Sequence, residues 1–248
     1  MNQRSDDNHS QTVLLTGVAG GMGTATAKHF VARGWRVIGL DHNRERLSAL
    51  AAEMPVESFV PLSNELAAED LVEKILPVLE KEGRLAGLVN LAGISIGDAI
   101  DHLADGDWDC SFRINATAPM RLCRAAIPYL EETKGAIVNV GSPVGAIGAR
   151  KPTYAASKAA LHGLTMSLAR NLGPRGIRVN LLLPGACSTF LTSDWSEEKK
   201  RAVADGTFLK RLCRPEEIAS VIFFLLGKEA SYLTGSVIDM TAGGMWGH

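Results

Sequence analysis

Short β-branched runs alternate with longer amphipathic ones along the chain, beginning with residues 12–15, then 25–33, then 35–40. Continuous apolar strands separated by helix-length segments predict a parallel sheet with crossover helices, because a strand covered on both faces has no polar side to alternate with. Further strands are expected at 58–60, 88–91, 136–140, 178–183 and 237–240, each bounded by Gly, Pro, Asn or Asp. Helices are expected at 69–82, 107–131, 153–172 and 215–226, the last opened by Pro215 at a first-turn position. The predicted architecture is α/β, a single doubly wound domain over 11–248 after a polar tail at 1–10. One late stretch, 186–214, lacks strand character; it holds Trp195 and a charged run at 197–201, and it follows a strand whose end would face a ligand crevice. It is read as a small lid.

Composition narrows the partners. The 248 residues suit one core, and 46% hydrophobic with 21% charged residues excludes disordered and disulfide-scaffold classes. The 26 basic and 27 acidic side chains leave a net charge of −1, and neither sign forms a long block. Nucleic acid and anionic membrane are therefore not expected partners, and a small molecule is. The longest apolar stretches, such as 221–226, fall short of the roughly 18–20 residues of a span, and the N-terminus has no apolar signal core, so a cytoplasmic location is expected. Cys110, Cys123, Cys187 and Cys213 never pair as C-x-x-C, and His29, His42, His102, His162 and His248 show no ligand spacing, so no metal is expected and the thiols are read as ordinary.

After the first strand comes Thr16-Gly17-Val18-Ala19-Gly20-Gly21-Met22-Gly23, then a helix. Such a turn lets backbone approach a pyrophosphate and aims free N–H groups and the positive end of the helix dipole at it. A Walker A loop is excluded, since the first lysine beyond the turn is Lys28, well inside the helix. Asp41, eighteen residues after Gly23, ends the second strand, where a carboxylate accepts both ribose hydroxyls of an adenosine and repels a 2′-phosphate. NAD is expected over NADP; Arg44 is the nearby cation that argues otherwise.

Tyr154 and Lys158 stand four apart at the start of a predicted helix, which puts phenol and ammonium on one face. A phenol has an ordinary pKa of about 10, so work as a base near neutrality needs about 4 kcal/mol of preferential phenolate stabilisation, for which a close ammonium and a positive nicotinamide ring are sources. Ser142, 12 residues before Tyr154, could donate to the same substrate oxygen. Asn115 could hold a water behind the lysine.

These motifs together resemble the classical short-chain dehydrogenase/reductase family. Thr16–Gly23 matches T-G-x-x-x-G-x-G, Asn90-Leu91-Ala92-Gly93 resembles N-N-A-G, and Asn115, Ser142, Tyr154 and Lys158 fall on the catalytic tetrad. Asn180 to Gly185 (N-x-x-x-P-G), Thr189 and Arg214-Pro215-Glu216-Glu217-Ile218 extend the likeness over almost the whole chain. The resemblance implies a seven-stranded Rossmann-type sheet, a homotetramer or homodimer, Tyr154 as general acid/base, Lys158 lowering its pKa and binding the nicotinamide ribose, Ser142 positioning the substrate oxygen, and Asn115 supporting a proton relay. It also implies cofactor contacts from Gly17, Gly21, Met22, Gly23, Asp41, Asn90, Ala92, Gly93, Pro184, Gly185 and Thr189.

Departures from the pattern are Leu91 for a second asparagine, Ser63 or Asn64 where an aspartate usually meets adenine, Ala242 where an aspartate precedes Gly243, and a Ser142-to-Tyr154 spacing one residue short. The expected activity is NAD-dependent hydride transfer between nicotinamide and a secondary alcohol or ketone. An NADP-dependent 3-oxoacyl-(acyl-carrier-protein) reductase and a non-catalytic dinucleotide sensor are the alternatives. A substrate wall of Ser95, Ser142, Val144, Ala186, Phe190 and Trp195, with Ala149 and Lys151 beside it, excludes few secondary alcohols, and Arg150 with Lys151 could attract an anion.

Overall fold

The structure is a computed structural model that describes residues 11–193 and 195–245, with nothing said of the side chains of Phe190 and Leu191. The tail at 1–10 and the Phe190 side chain assigned to the substrate wall therefore lie outside the described residues.

Seven parallel strands form one sheet in the order β3-β2-β1-β4-β5-β6-β7. They are β1 (Thr12–Thr16), β2 (Arg36–Asp41), β3 (Phe59–Ser63), β4 (Gly87–Asn90), β5 (Ala136–Val140), β6 (Arg178–Pro184) and β7 (Val237–Met240). The apolar runs are continuous because both faces are covered. Val13, Leu15, Val37, Val89 and Val138 turn to one core with α1 (Gly21–Val31), α2 (Arg44–Ala52) and α10 (Pro215–Leu226). Leu14, Ile38, Leu88 and Ile137 turn to the other with α3 (Leu71–Glu82), α5 (Ala118–Thr133) and α7 (Pro152–Leu172). On the first face Phe30, Trp35 and Phe223 pack edge to face at 5.0–5.7 Å. Trp35 therefore belongs to that packing, and β2 starts one residue later than expected.

Several boundaries differ from expectation for physical reasons. β3 runs through Pro61 to Ser63, since on an edge strand the missing proline N–H has no ladder to break. The expected single helix at 107–131 is broken into α4 (Asp105–Phe112), a π-helical turn (Arg113–Thr117) and α5. Pro119 has no N–H to give the Asn115 carbonyl, and the Ala118 N–H reaches back five residues to Arg113 instead. The unanticipated α2 buries only Leu47 and Leu50, too little for a visible stripe.

The excursion at 186–214 holds α8 (Phe190–Ser193) and α9 (Glu197–Asp205), the latter capped by Ser196 and with no buried residue. Two short helical elements complete the crevice side: α6 (Val144–Ile147), and a 3₁₀ turn at Ile100–His102. Among the described residues no helix is long and apolar enough to cross a membrane. The chain reverses its winding between β2 and β4, which flank β1, so a crevice opens at the carboxyl ends of these strands.

Candidate active site

The turn after β1 is built by contacts that leave no room for side chains. Gly17 has φ +70°, and a Cβ there would lie 2.9 Å from the Ala92 Cα. A Cβ on Gly21 would sit 2.8 Å from the Thr189 Cβ, so the glycine turn and the start of the excursion are in direct contact. Gly23 packs against the Gly17 carbonyl. The Thr16 hydroxyl accepts the N–H groups of Leu91 and Ala92, each at 3.1 Å, which binds this turn to the one after β4. That bond uses the backbone of residue 91, which is why leucine serves there. No side chain caps the N-terminus of α1.

The crevice has a volume of about 390 Å³ and is lined by Gly17, Gly21, Met22, Asp41, Ala92, Gly93 and Thr189 of the expected cofactor residues. Asp41 is 8% exposed; its Oδ2 accepts the Ala19 N–H at 3.0 Å and its Oδ1 the Asn43 N–H at 2.9 Å. A carboxylate has about four acceptor sites, and the His42 Nδ1 lies 3.4 Å from Oδ1, so Oδ2 keeps a site for a hydroxyl donor. Asn64 lines the crevice with a buried Nδ2 that has no partner, while Ser63 is taken by Arg44, whose Nε donates to its hydroxyl at 3.2 Å. Of the two adenine candidates, Asn64 is the one at the crevice, and Arg44 is engaged away from it. Lining residues that sequence reasoning missed are Leu40, His42, Arg46, Glu65, Leu66, Ile94 and Ile114, which carry no motif.

Asn90, Pro184 and Gly185 do not line this crevice. Asn90 instead donates to Asn139 at 2.7 Å, and Asn139 to Thr165 at 2.9 Å, a buried ladder joining β4, β5 and α7. Gly185 approaches the backbone of Thr241.

Two of the four candidate catalytic residues, Asn115 and Lys158, meet behind Gly93. A Cβ on Gly93 would lie 3.0 Å from the Lys158 Nζ and 3.2 Å from the Asn115 Oδ1. Asn115 sits in the π turn, fully buried; its Oδ1 accepts the Ile94 N–H, and its Nδ2 donates to the Ile94 carbonyl, both at 2.9 Å, and to the Ser157 hydroxyl at 3.0 Å. The buried Lys158 donates to the Val140 carbonyl at 2.8 Å, with Nζ 5.9 Å from the centre of the Tyr154 ring. Burial lowers the Lys158 pKa to about 8.

Burial raises the Tyr154 phenol above its ordinary value, and a hydrogen bond with Ser142 pulls the other way. The Lys158 ammonium, expected from the resemblance to lower the phenol pKa, lies beside the ring and donates to the Val140 carbonyl.

On the substrate side Lys151 donates to the Ser95 carbonyl at 3.3 Å, and the exposed Arg150 lies 3.7 Å from Asp98, so both cations have local partners. Val144 opens α6, two residues past Ser142. Trp195 carries the Lys199 ammonium 4.3 Å above its ring. Ala186 accepts the Cys213 N–H at 2.9 Å at the base of the excursion. Among the described residues no group of histidine, cysteine or acidic side chains could hold a metal ion.

A seven-stranded doubly wound sheet with this glycine turn and tetrad defines a class, the short-chain dehydrogenase/reductases, and the chain belongs to that family. Within it, residues 17–245 match the family described as enoyl-(acyl carrier protein) reductase. The chain is 36% identical over 235 residues to a 3-oxoacyl-(acyl-carrier-protein) reductase of Thermotoga maritima, covering 93% of this chain and 96% of that one. It is 31% identical over 236 residues to a meso-2,3-butanediol dehydrogenase of Serratia marcescens, covering 94% of each. A solved Brucella melitensis structure titled short-chain dehydrogenase/reductase, glucose/ribitol dehydrogenase, superposes with a TM-score of 0.89 at 35% identity, covering 94% of this chain and 96% of that one. The protein is an oxidoreductase of this family.

Proposed function

We propose that the protein is an NAD-dependent oxidoreductase that moves a hydride between nicotinamide and a secondary alcohol or ketone, with Tyr154 as general acid/base. The observation that carries this reading is the convergence of Asn115, Lys158 and the cofactor crevice on Gly93, with Tyr154 on the same helix as Lys158. The crevice fits a dinucleotide: an uncapped helix start would take the pyrophosphate, a buried carboxylate the ribose, and the unpartnered Asn64 donor the adenine. When bound, the dinucleotide accepts or supplies the hydride.

The chain's own residues handle the proton. In the oxidative direction Tyr154 first releases its own proton to solvent, which the neighbouring Lys158 ammonium would favour; the phenolate then takes the substrate hydroxyl's proton while Ser142 donates to the same substrate oxygen, stabilising the alkoxide that develops. In the reductive direction the raised pKa keeps the phenol protonated and ready to donate. Lys158 supplies positive charge beside the phenol, and Asn115 fixes the π turn and the 94 backbone around them.

Asp41 favours NAD, because a 2′-phosphate beside a buried carboxylate meets a like charge. The relative from Thermotoga maritima favours a second reading, reduction of 3-oxoacyl groups on an acyl carrier protein. Assembly as a homotetramer and a cytoplasmic location complete the proposal. The exposed Tyr232 and Val237, the latter on the edge strand β7, support the assembly alone.

The test is a titration with NADH and with NADPH, followed by turnover of secondary alcohols, ketones and 3-oxoacyl thioesters by the native chain and by Tyr154→Phe. NADH preference with a turnover loss of about 10²–10⁴-fold and retained cofactor binding is expected. Preference for NADPH with thioester turnover would establish the second reading, and unchanged behaviour of the variant would mean a dinucleotide sensor.

A further inference from the structure

We propose that Cys187 and Cys213 are a redox modification site, two thiols that close reversibly into a disulfide across the base of the excursion between them. Cys187 lies just after β6, and Cys213 returns beside it in parallel register. The Cys213 N–H donates to the Ala186 carbonyl and the Ser188 N–H to the Cys213 carbonyl, both at 2.9 Å. Residues paired this way in neighbouring strands have backbones about 4.8 Å apart, inside the roughly 4.4–6.8 Å Cα separation of disulfides. The Cys213 thiol itself donates to the Arg214 carbonyl at 3.4 Å.

The two thiols are unequal, which gives the chemistry an order. Cys187 is buried, whereas Cys213 is partly exposed and lines a cavity of about 260 Å³ with Thr207, Arg211 and Glu217. The neighbouring Cys187 thiol and the Arg211 charge favour the Cys213 thiolate, against burial and Glu217. With hydrogen peroxide as oxidant, the Cys213 thiolate attacks one peroxide oxygen, the O–O bond breaks, and hydroxide takes a proton and leaves as water. Cys213 is then a sulfenic acid. The Cys187 sulfur attacks the Cys213 sulfur, the S–O bond breaks, and the hydroxyl leaves with the Cys187 proton as a second water. Each sulfur gives up one electron, and the peroxide is reduced to two waters. A dithiol reverses the bond by exchange.

The effect reaches the crevice through Thr189, two residues after Cys187 and packed on Gly21. This part rests on the dinucleotide reading above. Fixing the ladder at Cys187 holds Thr189 against the glycine turn in the free protein, so less ordering remains to be done on binding, and the dinucleotide leaves more slowly. By linkage, bound dinucleotide favours the disulfide by the same factor by which the disulfide tightens binding.

The test treats the reduced full chain with hydrogen peroxide, digests it and measures peptide masses. The expected product joins the Cys187 and Cys213 peptides with loss of two hydrogens, is undone by dithiothreitol, is absent from Cys187→Ser and Cys213→Ser, and still forms in Cys110→Ser. Dissociation of NADH from the oxidised chain is expected to slow by at least about fivefold. Cys213 trapped as sulfinic acid with Cys187 still alkylatable would overturn the site. A disulfide that leaves NADH dissociation unchanged would overturn its effect on the crevice. A chain that forms the disulfide and binds no dinucleotide would overturn the functional reading and leave the thiol pair standing.

Discussion

Lys158 donates its buried ammonium to the Val140 carbonyl at 2.8 Å, so the charge at the centre of the site is tied to the end of β5 by a neutral partner. A carbonyl offsets less of the desolvation cost than a carboxylate would, and the pKa falls from 10.5 to about 8. The sign follows. Between about pH 8 and 10.5 the unfolded chain holds a proton that the folded chain has released, so this group makes stability rise with pH across that window. Tyr154 acts oppositely from about pH 10 upward, where the unfolded phenol ionises and the folded one does not. The urea midpoint of the native chain should therefore rise relative to that of Lys158→Met from pH 8 to 10. Parallel curves would show that the lysine is not depressed.

On the proposed reading Asp41 selects the cofactor by charge. Asp41→Asn keeps an oxygen for one of the Ala19 and Asn43 backbone donors and removes the negative charge. Hydrogen bonds to a charged group contribute about 1.5–3 kcal/mol, so NADH affinity should fall roughly 10- to 100-fold while NADPH affinity holds or rises. Equal losses for both cofactors, measured by fluorescence titration, would separate Asp41 from the ribose.

Asn115 needs both faces of its amide, one to accept from the Ile94 N–H and one to donate to the Ile94 carbonyl and Ser157. Asn115→Asp turns the donor into a second acceptor in a fully buried place. The expected cost is about 1–3 kcal/mol at neutral pH. It should shrink as pH falls, because a protonated carboxyl restores the donor. A thermal-melt deficit independent of pH would instead point to packing around the π turn.

The architecture was legible because the inner strands are buried on both faces, which leaves a run such as Leu14 and Leu15 apolar throughout. The glycine turn was legible as spacing, and the four candidate catalytic residues were legible only through the family resemblance. What escaped depends on contacts between distant segments. The π turn answers Pro119, but its form is fixed by the Asn115 bonds to Ile94, 21 residues away. Asn90 reads as a cofactor residue by motif, yet Asn139 and Thr165 make it part of the sheet's polar ladder. Arg46 and Ile114 line the crevice only because α2 and the π turn bring them there.

Ala242, at the position where the family carries aspartate, has φ +53°, a conformation that asparagine and aspartate tolerate better than alanine. Its carbonyl accepts the Phe208 N–H at 2.8 Å, so the turn anchors the end of the excursion. Ala242→Asn should therefore raise stability by about 0.5–1 kcal/mol, read as an increase in melting temperature. A decrease would mean that the asparagine side chain meets a neighbour in the turn.

Gly21 and Thr189 test whether the excursion and the glycine turn act as one binding unit. A Cβ on Gly21 meets the Thr189 Cβ at 2.8 Å and its Cγ2 at 3.0 Å, distances that real Cβ atoms do not hold. Gly21→Ala must push Thr189 outward, and the base of the excursion with it, opening the crevice where the pyrophosphate is proposed to lie. Dinucleotide affinity should fall about tenfold or more, a loss of about 1.4 kcal/mol. Thr189→Gly removes the atoms that collide, so the double variant should bind better than Gly21→Ala alone, with a favourable coupling of about 0.5 kcal/mol or more. Additive losses would mean that the methyl group blocks the ligand directly and that the excursion does not respond to the turn beneath it.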